Sequence, residues 1–138
     1  MSFTHTITYS WNDGAQTISK SLSSTAETQY YLDPIAEATA DSTYHSITVS
    51  LIAAQIVAMY VVSDQPVRIQ FVQSSDNTTV NVDLNTLGAN KPYQWISGNG
   101  TTCPITQNIG TIKINNALAV LTTNNANVKF RFLINNAS

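Results

Sequence analysis

Nine residues near the start of this chain alternate without a break: Phe3, His5, Ile7, Tyr9 and Trp11 on one side, Thr4, Thr6, Thr8 and Ser10 on the other. A period of two is the repeat of an extended strand, whose successive side chains point to opposite faces. Asn12-Asp13-Gly14 follows at once. The Asp-Gly pair supplies the positive-φ positions of a tight turn, so the chain is expected to double back as a hairpin. The return strand runs through Thr17 to Leu22, with Ile18 and Leu22 on the apolar side and Lys20 ambiguous. On this pattern the aromatic face of the hairpin lies on the core.

The same rhythm continues along the chain. Glu27 to Leu32 predicts a strand with Tyr30 and Tyr31 on opposite faces, broken by Asp33-Pro34. Ile35 to Ala40 has the makings of a helical turn, though a segment so short is marginal on propensity alone. Ile47, Val49 and Leu51 resume the alternation. Ile56 to Val62 is continuously apolar, as a central strand or one covered on both faces would be. Further strands are expected at Val67 to Phe71, Val80 to Leu84, Tyr93 to Ile96, Ile109 to Ile114, Ala117 to Leu121 and Val128 to Ile134. Turn residues separate them, as at Ser63-Asp64-Gln65-Pro66, Ser74 to Asn77 and Asn124-Asn125. About eight to ten short antiparallel strands with almost no helix predict an all-β fold, a β-sandwich or jelly roll. No shift of composition divides the chain, so residues 1–138 are read as a single domain.

What such strands would meet is constrained by charge. Only 10% of the 138 residues are charged, against roughly 25% in an ordinary domain. Ser, Thr and Asn, about a third of the chain, supply the polarity instead. Neutral hydroxyls and amides are buried against protein at modest cost when they find hydrogen bonds, whereas Lys and Glu are not. A surface short of charge therefore suits permanent assembly. The net charge is −2 and the six basic residues are scattered, which leaves no phosphate-tracking stripe for nucleic acid. Ile47 to Val62 is too short and too interrupted for a membrane span, and Met1-Ser2-Phe3-Thr4 lacks the features of a secretory signal.

A search for chemistry finds plainer explanations throughout. His5 and His45 are the only histidines, and neither has a nucleophile and an orienting acid in a recognisable pattern. Cys103 is the single cysteine and is read as a spectator thiol. Asp13, Asp33, Asp64 and Asp76 fall in turns, where carboxylates cap backbone N–H groups. No calcium loop and no phosphate-binding glycine loop occurs. The expectation is a protein without catalytic residues, metal or cofactor. Tyr93 and Trp95 share one strand face, and exposed they could stack on a sugar, as in a carbohydrate-binding module. Burial as a core pair is the favoured reading, because Trp is highly buried on average. With Tyr30 and Tyr31 they are the candidate binding or interface residues.

Three segments carry a family resemblance: residues 8–18 around Trp11-Asn12-Asp13-Gly14, residues 59–69 around Ser63-Asp64-Gln65-Pro66, and residues 88–95 ending Asn90-Lys91-Pro92-Tyr93-Gln94-Trp95. Together they resemble the small jelly-roll-like structural proteins of tailed bacteriophages, found as capsid cement or decoration proteins or in tail parts. The resemblance implies a virion structural protein on the capsid surface, with the major capsid protein as partner and a homo-oligomer, dimer or trimer, as its state. A tail or baseplate component is the alternative it also admits. The Tyr30-Tyr31 pair and Ile35 to Ala40 depart from that pattern, which leaves the oligomeric state open.

Overall fold

The computed structural model describes residues 2–12, 14–36, 44–116 and 125–135. Among them are eleven strands: β1 (Phe3–Asn12), β2 (Thr17–Ala26), β3 (Thr28–Leu32), β4 (Ile35–Ala36), β5 (His45–Leu51), β6 (Ile56–Ser63), β7 (Val67–Gln73), β8 (Val80–Leu87), β9 (Tyr93–Ile96), β10 (Ile109–Asn115) and β11 (Ala126–Ile134). One short 3-10 turn, Ala53–Gln55, precedes β6. Every strand pairing is antiparallel. The fold is all-β, as the alternation predicts.

Two sheets make the body, a β-sandwich. One runs β5-β10-β7-β8 and the other β3-β11-β6-β9, with β4 also on β11. Setting β4 aside, the eight body strands pair first with last, second with seventh, third with sixth and fourth with fifth. The chain is thus an antiparallel ribbon folded back on itself, and the β11–β6 and β10–β7 pairings close it. Ile35 and Ala36, expected to open a helical turn, pair with Asn127 and Ala126 instead. The Pro34 carbonyl also accepts a hydrogen bond from the Val128 amide at 3.1 Å. A ladder on β11 satisfies backbone groups that so short a helix would leave unpaired. The rest of that segment, and the strand expected at 117–121, lie outside the described residues.

Alternation places the core. On β11, Val128, Phe130, Phe132 and Ile134 point inward while Lys129 and Arg131 point out. Phe71 on β7 meets Phe130 and Phe132 edge-on across the sandwich, with ring centroids 6.1 and 6.5 Å apart and planes at 87° and 89°. Such T-shaped contacts set the positive ring edge against a negative ring face. Ile69, Ile112 and Ile114 from one sheet and Met59, Val61 and Trp95 from the other complete the interior. The apolar run of β6 has a specific cause. This strand is central in its sheet, its Met59 and Val61 face the core, and its outward Ala58 is covered by the N-terminal hairpin.

One glycine is fixed by close approach. A Cβ on Gly110 would lie 2.9 Å from Asn77 Oδ1 and 3.0 Å from Ser74 Cα, so the 74–77 turn can seat against β10 only if residue 110 has no side chain. The register of β10 shifts at this point.

The hairpin departs from expectation. Among the described residues β1 and β2 pair only with each other, as a separate two-stranded sheet outside the sandwich. Their apolar face is therefore not part of the main core. Alternation shows that a face is apolar; it does not say what covers it.

Truncation of the aromatic contact, Phe130→Ala, is expected to cost about 3–5 kcal/mol by loss of transfer energy and a residual cavity. Urea denaturation would measure this, and Trp11→Ser in the hairpin, an exposed substitution, is expected to stay within about 0.5 kcal/mol of the native value.

Candidate functional site

The hairpin is built by two opposed faces. On its outer face, hydroxyls meet across the strands: Thr4 with Thr25, Thr6 with Ser23 and Thr8 with Ser21, each pair 2.8 Å apart. These are directly opposite residues in an unbroken register of ten pairs from Phe3–Ala26 to Asn12–Thr17. Cross-strand Thr and Ser pairs of this kind are the units that stabilise an antiparallel ribbon. At the tip, Gly14 takes φ +88° and its amide donates to Asn12 Oδ1 at 2.7 Å. The strands end at Asn12 and Thr17, with the return strand starting where the sequence places it, so the connection is four residues, of which Asp13 lies outside the described residues.

The inner face divides into a covered base and an open tip. At the base, Phe3, Ile7 and Leu22 pack with Ala26 against Ala58, Ile96 and Leu133 on the outer surface of the β3-β11-β6-β9 sheet. Ser24 and Ser97 hydroxyls meet at 2.6 Å beside them. Toward the tip the cover ends. Tyr9 is 39% exposed, Trp11 55% and Ile18 56%. Tyr9 pairs with Lys20 and Trp11 with Ile18, so these side chains form one patch. A two-stranded ribbon alone is marginal in water, and its apolar face normally needs a further layer.

Beside the base runs a crevice of about 320 Å³, lined by His5, Ile7, Tyr31, Tyr60 and Arg131 among others. The His5 ring lies 5.9 Å from the Tyr31 ring, and the Tyr31 hydroxyl is 3.2 Å from His5 Nε2. The Arg131 guanidinium stands 4.6 Å over the Tyr31 ring and pairs with Asp33 at 2.7 Å. Burial holds the His5 imidazole below its ordinary value, so the neutral ring is favoured beside the Tyr31 hydroxyl.

The four aromatic candidates separate. Tyr31 is exposed on the outer sheet face, within the crevice, while Tyr30 packs inward against Phe132, so the two do point to opposite faces. Trp95 is buried at 8% exposure and donates its indole N–H to the Thr101 carbonyl at 3.1 Å. Tyr93 is half-buried against the same core, and burial raises its hydroxyl above the usual range. Trp95 therefore offers no open ring face for stacking. Tyr9, Trp11 and Ile18, which alternation assigns to the core, are exposed instead; the signal available was that the hairpin is ten pairs long while the other described strands are shorter.

The carboxylates serve the framework. Asp76 accepts from the Thr79 hydroxyl and from the Thr78 and Thr79 amides at 3.0 and 2.9 Å, which holds its carboxyl well below the usual range, at about 2. Asp64 accepts from the Asn127 amide and side chain, both at 2.8 Å, tying the Ser63-Asp64-Gln65-Pro66 turn to the start of β11. The Asn90 amide donates to the Ser63 carbonyl at 2.7 Å, so two of the segments that carry the family resemblance meet at this end of the sandwich. Asp83 is held low by the Arg68 guanidinium, 2.7 Å away across β7 and β8. Cys103 is a free, half-buried thiol pushed up by burial. Among the described residues no cluster of three His, Cys, Asp or Glu could hold a metal, and no helix is long and apolar enough to cross a membrane.

The His5 contact gives the arm a pH dependence. A lowered folded value means its stabilising contribution is full above the ordinary imidazole value, 6.5, and is lost as pH falls through the folded value. NMR of the His5 ring is expected to give a midpoint below 6.5, with proteolysis of the arm speeding up as pH falls from 6.5 toward that midpoint and levelling off below it; a midpoint at or above 6.5 would contradict it. Comparison with family models, with curated proteins and with solved structures finds no match to this chain.

Proposed function

We propose that this chain is a structural assembly protein whose N-terminal hairpin arm grips other protein, and that the assembly is a tailed-phage head, which it reinforces as a cement or decoration protein. The observation that carries the reading is the open tip: Tyr9, Trp11 and Ile18 form an apolar patch beside Lys20, at the end of the ribbon that the described body residues do not cover. Interface cores are enriched in Trp and Tyr and depleted of charge, and a few such anchors carry most of the binding energy. The scarcity of charge over the whole chain supports the same reading. So does the folded-ribbon strand order, which is that of a jelly roll, an architecture that viral capsid domains share with lectins. Fold alone does not assign function, so the phage setting rests on the three resembling segments.

The body supplies a rigid base and the arm supplies reach. Ten residues of strand at about 3.4 Å each give the arm a length of roughly 34 Å. A protein that cements a shell gains from touching neighbouring subunits at once, because linked contacts bind far more tightly than either alone.

Binding of the purified protein to expanded tailed-phage heads tests the proposal. The double variant Trp11→Ser, Ile18→Ser is expected to keep the native unfolding midpoint and to lose about tenfold or more in head affinity, as for loss of hot-spot residues. Failure of the unaltered protein to bind such heads, or undiminished binding by the variant, would overturn it.

A further inference from the structure

β1 carries a second feature besides its apolar face. It is an edge strand: among the described residues it pairs with β2 alone, and its other edge presents unpaired backbone groups. Proteins normally guard such edges with Lys, Pro, bulges or inward charges. β1 has none of these. Its ten residues, Phe3–Asn12, contain no Asp, Glu, Lys, Arg or Pro, and its register with β2 is unbroken. Charge is absent from β3, β4, β5, β6 and β9 as well, so what sets β1 apart is its length of ten residues and its unbroken register outside the sandwich.

The order of residues along β1 points to the occupant. Read outward from Ile7, the chain is symmetric in chemical class: Thr6 and Thr8, then His5 and Tyr9, then Thr4 and Ser10, then Phe3 and Trp11. An antiparallel pair of identical strands centred on Ile7 therefore sets ring against ring on one face and hydroxyl against hydroxyl on the other. Aromatic pairs and Thr–Thr or Thr–Ser pairs are the favourable cross-strand combinations. A two-fold axis normal to the sheet generates this arrangement, in which each residue contact is made twice, as in an isologous dimer. A strand placed on this edge would also fall beside the crevice, since His5, Thr6 and Ile7 form its wall and the exposed Tyr31 and Tyr60 its floor. Tyr9 of the second copy, opposite His5, is the side chain aligned with that space.

We propose that two copies of this chain pair antiparallel along β1, centred on Ile7, to join their hairpins into one four-stranded sheet. The inference rests on the assembly reading only in taking the arm to bind protein; dimerisation needs no capsid. The partner of this edge is a second copy, and a capsid strand added to it instead would be seen as a protein that is monomeric alone.

Charge placement tests the register. Thr6 lies opposite Thr8 of the other copy in this pairing, and both project from the outer face, away from the body. The double variant Thr6→Lys, Thr8→Lys sets like charges opposite each other twice across the two-fold axis. Thr6→Lys, Thr8→Glu sets opposite charges there, while removing the same two hydroxyls from the hairpin. Sedimentation velocity of the full-length protein is expected to show a dimer for the native chain, a monomer for the Lys/Lys variant and a dimer for the Lys/Glu variant. Circular dichroism and thermal melting of all three establish that each is folded. A native chain that sediments as a monomer at its highest soluble concentration would overturn the inference, and so would a dimer that both variants keep or both lose while folded. Head binding measured on the same proteins keeps the two proposals apart. A monomeric native chain that still binds heads would end the dimer alone, and a native dimer that ignores heads would end the cement reading alone.

Discussion

Phe71 set edge-on between Phe130 and Phe132 is the contact on which the body depends, because it joins the two sheets at the middle of the interior. Each sheet presents one apolar face, and only the other can cover it. Once those faces meet, the folded ribbon closes and the inward residues of β6, β7, β10 and β11 are removed from water together. The same requirement explains the arm. Ala58, Ile96 and Leu133 form an apolar strip on the outside of one sheet, and the base of the hairpin is the layer that covers it.

The arm repeats that logic and leaves it unfinished. Its base has found a surface, whereas among the described residues nothing covers the patch of Tyr9, Trp11 and Ile18 or pairs with the outer edge of β1. An apolar face and an unpaired strand edge are the two features that proteins ordinarily conceal. Here they occur on one element, with Lys20 the charge beside the face and no charge on the β1 edge strand. Assembly would satisfy both at once, which is why the proposed function is placed on the hairpin rather than on the buried Trp95.

Much of the fold was legible in the residues. The strands at Phe3–Asn12, Ile56–Ser63, Tyr93–Ile96 and Ala126–Ile134 follow directly from period-two alternation or continuous apolar runs. Burial of Trp95 and the opposed directions of Tyr30 and Tyr31 were equally readable. The order of strands was not, since six of the eight body strands have their ribbon partner two or more strands away in sequence. Nothing local in Glu27 to Leu32 says that it will meet Phe130 to Ile134. The hairpin shows the same limit from the other side. Phe3 and Trp11 belong to one alternating pattern, yet one is covered and the other open, because the pattern extends beyond the sheet that covers it. Ile35 and Ala36 were drawn into strand by a distant ladder on β11, against their local preference.

The most direct measurement is residue-resolved amide exchange along β1 in the isolated protein at high and low concentration. Successive backbone amides of a strand point to opposite edges, so half of those in β1 face β2 and half face away. Assembly through the arm predicts that the outward half, centred on Ile7, are protected at high concentration and lose that protection on dilution. Outward amides that exchange as freely as those of an open chain at every concentration, beside protected ones facing β2, would contradict self-assembly through this arm.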